Sequence, residues 1–185
     1  MAAKSTLVNM VAVLGITCLL CSAILGGTYA VTEEPIRKTA DEKTARSIGE
    51  VLPSFTAMEK ITDGDLIYYK AMADTALVGY AICSTVNGFG GPLTLLVGIT
   101  ADGIVYNTSV LSHSETPGLG AKCTTDQKFM SQWQNLNPAE KVLAVTKEGG
   151  SIDAITASTI TSKAYTKAVA NALDIFNALG GQSNE

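Results

Sequence analysis

The chain has 185 residues, a formal net charge of -4 and 46% hydrophobic residues, a size and balance suited to one membrane element plus one modest globular domain. With Lys and Arg outnumbered 13 to 17 by Asp and Glu and no basic run, the electrostatic footprint of a nucleic-acid binder is absent.

From Ser5 to Thr32 no residue is charged, and the run over 7–31 is long enough to cross a bilayer core as a helix. Lys4 and the Thr28-Tyr29-Ala30 sequence resemble parts of a cleavable signal peptide, but the apolar run is longer than a usual h-region, which favours a retained span. Leu20, where a lipoprotein needs a small residue before Cys21, argues against lipidation there. Residues 1–6 are read as a short cytoplasmic N-terminus, with the domain on the other side. Cys18 and Cys21 lie on one helical face and read as packing residues. Residues 32–53 mix charges with Ala and Ile at near-helical spacing and stop at Pro53, which predicts a membrane-proximal helical linker.

Next, "LIYYKAMADTALVGYAICSTV" predicts two strands with a turn around Ala73-Asp74, followed by a glycine-rich loop over 87–92. "LTLLVGITADGIVYNTSVLSHSE" is the clearest hairpin, joined at Ala101-Asp102-Gly103, and is expected at the centre of the sheet. "TTDQKFMSQWQNL" reads as a short helix capped by Thr125 or Asp126, with Phe129, Trp133 and Leu136 on one stripe. "EKVLAVTKE" predicts a further strand. The closing helix carries Tyr165, Val169, Ala172, Leu173, Phe176 and Leu179 on its apolar stripe and ends at Gly180-Gly181. The sum is an α+β domain, an antiparallel sheet with packed helices, preceded by one N-terminal transmembrane helix. Cys83 and Cys123 are the only thiols beyond the apolar run, and spacing alone does not pair them.

Metal clusters, nucleotide-binding loops and nucleophile elbows are missing from the chain. Its single histidine, His113, has no Cys or second His beside it, and reads as structural before it reads as a ligand. The neighbouring loop says more. In Glu115-Thr116-Pro117-Gly118-Leu119-Gly120, the proline restricts Thr116 and the glycines let the backbone approach a bound planar group closely, although an ordinary connection would use them too.

A second candidate lies at the start of the closing helix. Thr156, Ser158, Thr159, Thr161 and Ser162 cluster where one cap residue would suffice. Free amides and the helix dipole make such a terminus an anion site, so the surplus hydroxyls point to a phosphate-bearing ligand, bound reversibly or joined to a hydroxyl.

Together, "SHSETPGLGAK" and "DAITASTITSKA" resemble the FMN-binding domain family. Within it the chain looks most like the G subunits of Rnf-type ion-translocating electron transport complexes, with the C subunits of sodium-pumping NADH:quinone reductases as near relatives. The resemblance implies an extracytoplasmic FMN-binding domain over 54–185, on the periplasmic side of a bacterial inner membrane. In this family a flavin transferase joins FMN through its phosphate to a threonine in a motif Asp-x-x-(Ser/Thr)-(Gly/Ala)-Ala-Thr. On this chain the motif falls on Asp153, Thr156, Ala157, Ser158 and Thr159, with Thr159 the implied acceptor and Ser158 standing where the family usually has alanine. Glu115, Thr116, Gly118, Leu119 and Gly120 are implied to lie against the flavin, with His113 nearby. The implied work is electron relay between ferredoxin and NAD beside other membrane subunits of the complex, without a catalytic acid, base or metal.

Overall fold

The computed structural model describes residues 7–64, 66–74 and 76–180, so the expectations for residues 1–6 and for Gly181 fall outside them. Contacts divide the chain into two compact units, with the boundary between Glu42 and Lys43. Helix α1 spans Leu7–Val51, taking in both the apolar run and the charged segment after it, with Pro35 inside. It is long and apolar enough to cross a membrane. Thr28 and Thr32 turn their hydroxyls back onto the carbonyls of Ile24 and Thr28, which hides those polar groups within the helix itself.

In the second unit five strands form one antiparallel meander in chain order: β1 (Ala57–Asp63), β2 (Leu66–Ala73), β3 (Ala76–Asn87), β4 (Pro92–Thr100) and β5 (Val105–His113). The turn at Asp74 holds a left-handed φ of 54°, which Asp tolerates better than most side chains. Between β4 and β5, Gly103 supplies the positive φ that the Asp-Gly turn requires. The hairpin is not the sheet's centre as expected. β3 is central and β5 is an edge, because β1 extends the other side by one strand. β1 has no strand signal in the sequence, because its "AMEKITD" is exposed on nearly every position and shows no apolar alternation.

The sheet is covered on both faces. On one, Leu95, Val97 and Ile99 of β4 join Ile82, Trp133 and the stripe of α3 (Thr159–Ala178) in the main core. On the other, Leu96, Ala81 and Tyr69 meet Ile48, Val51 and Leu52 at the end of α1. β4 is therefore buried almost continuously, as a strand sandwiched on both sides should be. Gly98 permits the second contact: a side chain there would overlap the Val51 carbonyl.

After β5, Asp126 caps the four-residue helix α2 (Gln127–Met130), accepting from the amides of Lys128 (3.0 Å) and Phe129 (3.3 Å). Phe129, Trp133 and Leu136 are all buried, but the helix expected to carry them ends at Met130, giving way to a 3-10 turn over Ser131–Trp133 and a bridge from Leu136 to Val105. Trp133 stacks on Tyr165 with ring centroids 5.1 Å apart. Tyr165 bonds Thr108 at 2.7 Å, and burial pushes its phenol well above the usual range.

The strand expected over 140–148 does not form. Its backbone groups are satisfied by the loop that follows: Ser151 donates to the Val142 carbonyl, Ile152 to Ala144, and Thr146 to Ile152. Gly149, at φ 79°, turns the chain back so that only an isolated bridge, Val145 to Ile152, remains. Cys83 and Cys123 are both free and belong to the clusters on opposite faces of the sheet. Burial pushes both thiols up to about 11, which suits packing residues rather than reactive ones.

Candidate functional site

Three segments meet around a cavity of about 350 Å³: the β3–β4 loop through Phe89, the Glu115–Gly120 loop, and the start of α3 from Ala157 to Thr161. Its volume lies near the lower end of the range for small-molecule sites, roughly 300–1,000 Å³.

Glu115 joins these segments. Its side chain is buried, with Oε1 accepting from the Phe89 amide at 2.7 Å and Oε2 accepting from the Thr161 hydroxyl at 2.9 Å. The Glu115 amide donates to Nδ1 of His113 at 3.2 Å. His113 thus steadies the loop from behind and does not line the cavity. Two glycines make room for the carboxylate, since a Cβ at Gly88 would overlap Oε1 and one at Gly120 would overlap Oε2. Gly118 serves turn geometry instead, with φ 76° and open space around it, and lies outside the cavity lining.

The hydroxyl cluster resolves into separate jobs. Ser162 accepts from the Ile155 amide at 2.9 Å and donates to the Ser158 carbonyl at 3.0 Å, pinning the incoming loop to the helix. Thr161 goes to Glu115. Ser158 is the cap residue but makes no capping bond, and its Oγ is buried with no hydrogen-bond partner among the described residues. Thr159 is the first residue of α3 and lines the cavity beside it. Ala157 reaches this point with a left-handed φ of 61°, an uncommon conformation for alanine and one that glycine would adopt without strain.

Of the residues singled out in the sequence, Glu115, Thr116, Leu119, Gly120, Ala157, Ser158 and Thr159 come together on the cavity. Asp153 and Thr156 lie instead on a smaller cleft of about 80 Å³ with Asp126, Lys128 and Gln132. There the Asp153 backbone is held by Gln132 through two hydrogen bonds, of 2.7 and 3.1 Å, and its carboxylate faces Lys128 at 3.5 Å. Phe89 and Ile160 line the cavity without having been singled out. Both are exposed, at 68% and 55%, and with Leu119 they give the opening an apolar rim. An aromatic between two glycines in a loop was the available signal for Phe89.

The set suits a ligand with an aromatic plane and a phosphate. Apolar side chains surround the opening, while one wall is a helix start bearing an unpartnered buried hydroxyl.

The FMN-binding domain family matches residues 88–174, a span that contains every residue lining the cavity. Over 172 residues the chain is 34% identical to the G subunit of the ion-translocating oxidoreductase complex of Methanosarcina acetivorans, covering 88% of this chain and 90% of that protein. It is 32% identical over 163 residues to the G subunit of the proton-translocating ferredoxin:NAD(+) oxidoreductase complex of Clostridium ljungdahlii, covering 87% and 86%. Among solved structures, the C subunit of the Na(+)-translocating NADH-quinone reductase from Parabacteroides distasonis has a similar fold. The TM-score is 0.55 at 20% identity, over 78% of this chain and 85% of that one.

Proposed function

The chain belongs to the family of G subunits of ion-translocating oxidoreductase complexes, and on that footing we propose that it is a membrane-anchored flavoprotein that relays electrons through FMN. The FMN is held as a phosphoester of Thr159, attached by a flavin transferase, in a domain on the periplasmic side of the inner membrane. The other subunits of the complex are its partners, and the electrons pass between ferredoxin and NAD, as the name of the Clostridium relative has it.

One observation carries this reading. The buried, unpartnered Ser158 hydroxyl sits at the helix start next to Thr159, on a cavity with an apolar rim. A buried hydroxyl left without a partner costs about 1–3 kcal/mol, and a phosphoryl oxygen reached by a turn about its χ1 bond would remove that cost. The amides of the first turn of α3 and its dipole favour the same negative group.

When bound, FMN supplies one- and two-electron redox chemistry. The rest falls to the chain. Thr159 fixes the phosphate end, Phe89, Leu119 and Ile160 shield the opening from water, and Glu115 holds the loop and the helix start at a fixed separation through its two hydrogen bonds. Asp153 and Thr156 line the neighbouring cleft, and in this reading their part is recognition by the flavin transferase.

The test is expression of the full chain with a flavin transferase, followed by denaturing electrophoresis. Yellow fluorescence should stay with the wild-type band and vanish from Thr159→Val. Release of all colour on denaturation would leave a noncovalent phosphate-binding module, and fluorescence retained by Thr159→Val would move the linkage to another hydroxyl.

A further inference from the structure

Glu115 is the one acidic or basic side chain fully buried among the described residues, at 5% exposure, and no ion pair joins it to a cation there. Buried charges are normally paired, because removing a carboxylate from water is costly. Among the described residues its hydrogen-bond partners are the Phe89 amide and the Thr161 hydroxyl, one on each oxygen, the latter in the first turn of α3. As a mere tie between segments the position would need no charge, since a glutamine has the same shape and could hold both partners.

The carboxylate also forms part of the cavity wall, among Leu119, Ile160 and Phe89, where apolar surroundings screen its field weakly. The start of α3 contributes partial positive charge to the same cavity, but that end faces the proposed phosphate. A net negative group is therefore left facing whatever else the cavity holds.

We propose that the charge of Glu115, as distinct from its hydrogen bonds, lowers the reduction potential of the bound flavin. This inference rests on the flavin reading above. An electron added to the isoalloxazine adds negative charge beside a fixed carboxylate, so the reduced forms are disfavoured relative to the oxidised one. Glu115 is in this sense a tuning residue, with no bond made or broken at it.

Glu115→Gln separates charge from geometry. Its amide oxygen can accept from Phe89, and its NH2 can donate to Thr161, whose hydroxyl then accepts. Thr161→Val does the reverse, keeping the charge and deleting one bond. The full chain, loaded with flavin during expression, would be titrated spectroelectrochemically as wild type and as both variants, with flavin content and thermal unfolding measured in parallel.

The expected result is a midpoint potential for flavin-loaded Glu115→Gln more positive than that of wild type and of Thr161→Val. An unchanged midpoint in a fully loaded Glu115→Gln overturns the inference, as does a shift no larger than that of Thr161→Val. Failure of Glu115→Gln to load flavin, with wild type loaded, also overturns it, because the carboxylate would then serve to build the site. Wild-type protein without flavin overturns the flavin reading itself, and the inference falls with it.

Discussion

Two halves of one short segment behave as different kinds of structure. From Asp153 to Thr156 the chain lies on an open cleft, with its backbone held by Gln132 and its one charge turned to an exposed lysine. From Ala157 to Thr161 it lines the cavity, where the buried Thr161 hydroxyl is bonded to Glu115 and the buried Ser158 hydroxyl has no partner among the described residues. Ala157, in its left-handed conformation, is the joint between them. A motif that reads as continuous in sequence is thus divided by one backbone turn between two different clefts.

The comparison makes the inward half sensitive and the outward half tolerant. The largest effect is expected from Gly120→Ala, whose new methyl would overlap Glu115 Oε2 and sit 2.7 Å from Thr161 Oγ1. Overpacking of this kind costs about 1–3 kcal/mol. Chemical denaturation should show that loss, together with reduced flavin content.

Thr161→Val comes next. It strips Glu115 of a donor at 2.9 Å, and a hydrogen bond to a charged group contributes roughly 1.5–3 kcal/mol. The same denaturation experiment would read it, with a loss nearer the lower end because Phe89 still holds the other oxygen.

Ala157→Gly should act in the opposite direction. Relief of a left-handed alanine gains roughly 1–2 kcal/mol, and the freer unfolded chain takes back about 0.4–1 kcal/mol, so a small rise in the unfolding midpoint is expected. A fall would mean that Ala157 makes a contact that matters more than its backbone.

Asp153→Asn is expected to do least to the folded protein. Its ion pair with Lys128 is long and exposed, and such pairs contribute below about 1 kcal/mol. Flavin already attached should keep the wild-type absorption spectrum and midpoint, while the rate of attachment by the transferase falls. A changed flavin spectrum in loaded Asp153→Asn would break the division between the halves.

Much of this was legible from residue patterns. The strands β2 to β5 announce themselves through β-branched runs and the Asp-Gly turn, and α3 through a stripe that the structure buries. β1 was not legible, because an exposed edge strand has no apolar face to show. Residues 140–148 misled because "VLAV" has strand-like composition, whereas its partners are the loop residues Ser151 and Ile152.

For the site, hydroxyl surplus located the helix start correctly, but could not assign jobs. That Thr161 would meet Glu115, 46 residues earlier, depends on how β5 and α3 pack and is not encoded in local spacing. Nor could spacing reveal that Asp153 and Thr159, so close in the chain, face different clefts.

The central claim, a flavin joined at Thr159, is tested most directly on one peptide. Cleavage after Lys147 and Lys163 releases Glu148–Lys163 from chain expressed with the flavin transferase, and tandem mass spectrometry locates any added group within it. The account predicts the mass of FMN less one water, carried on Thr159. The bare peptide, or the same mass on Thr156, Ser158 or Thr161, would contradict it.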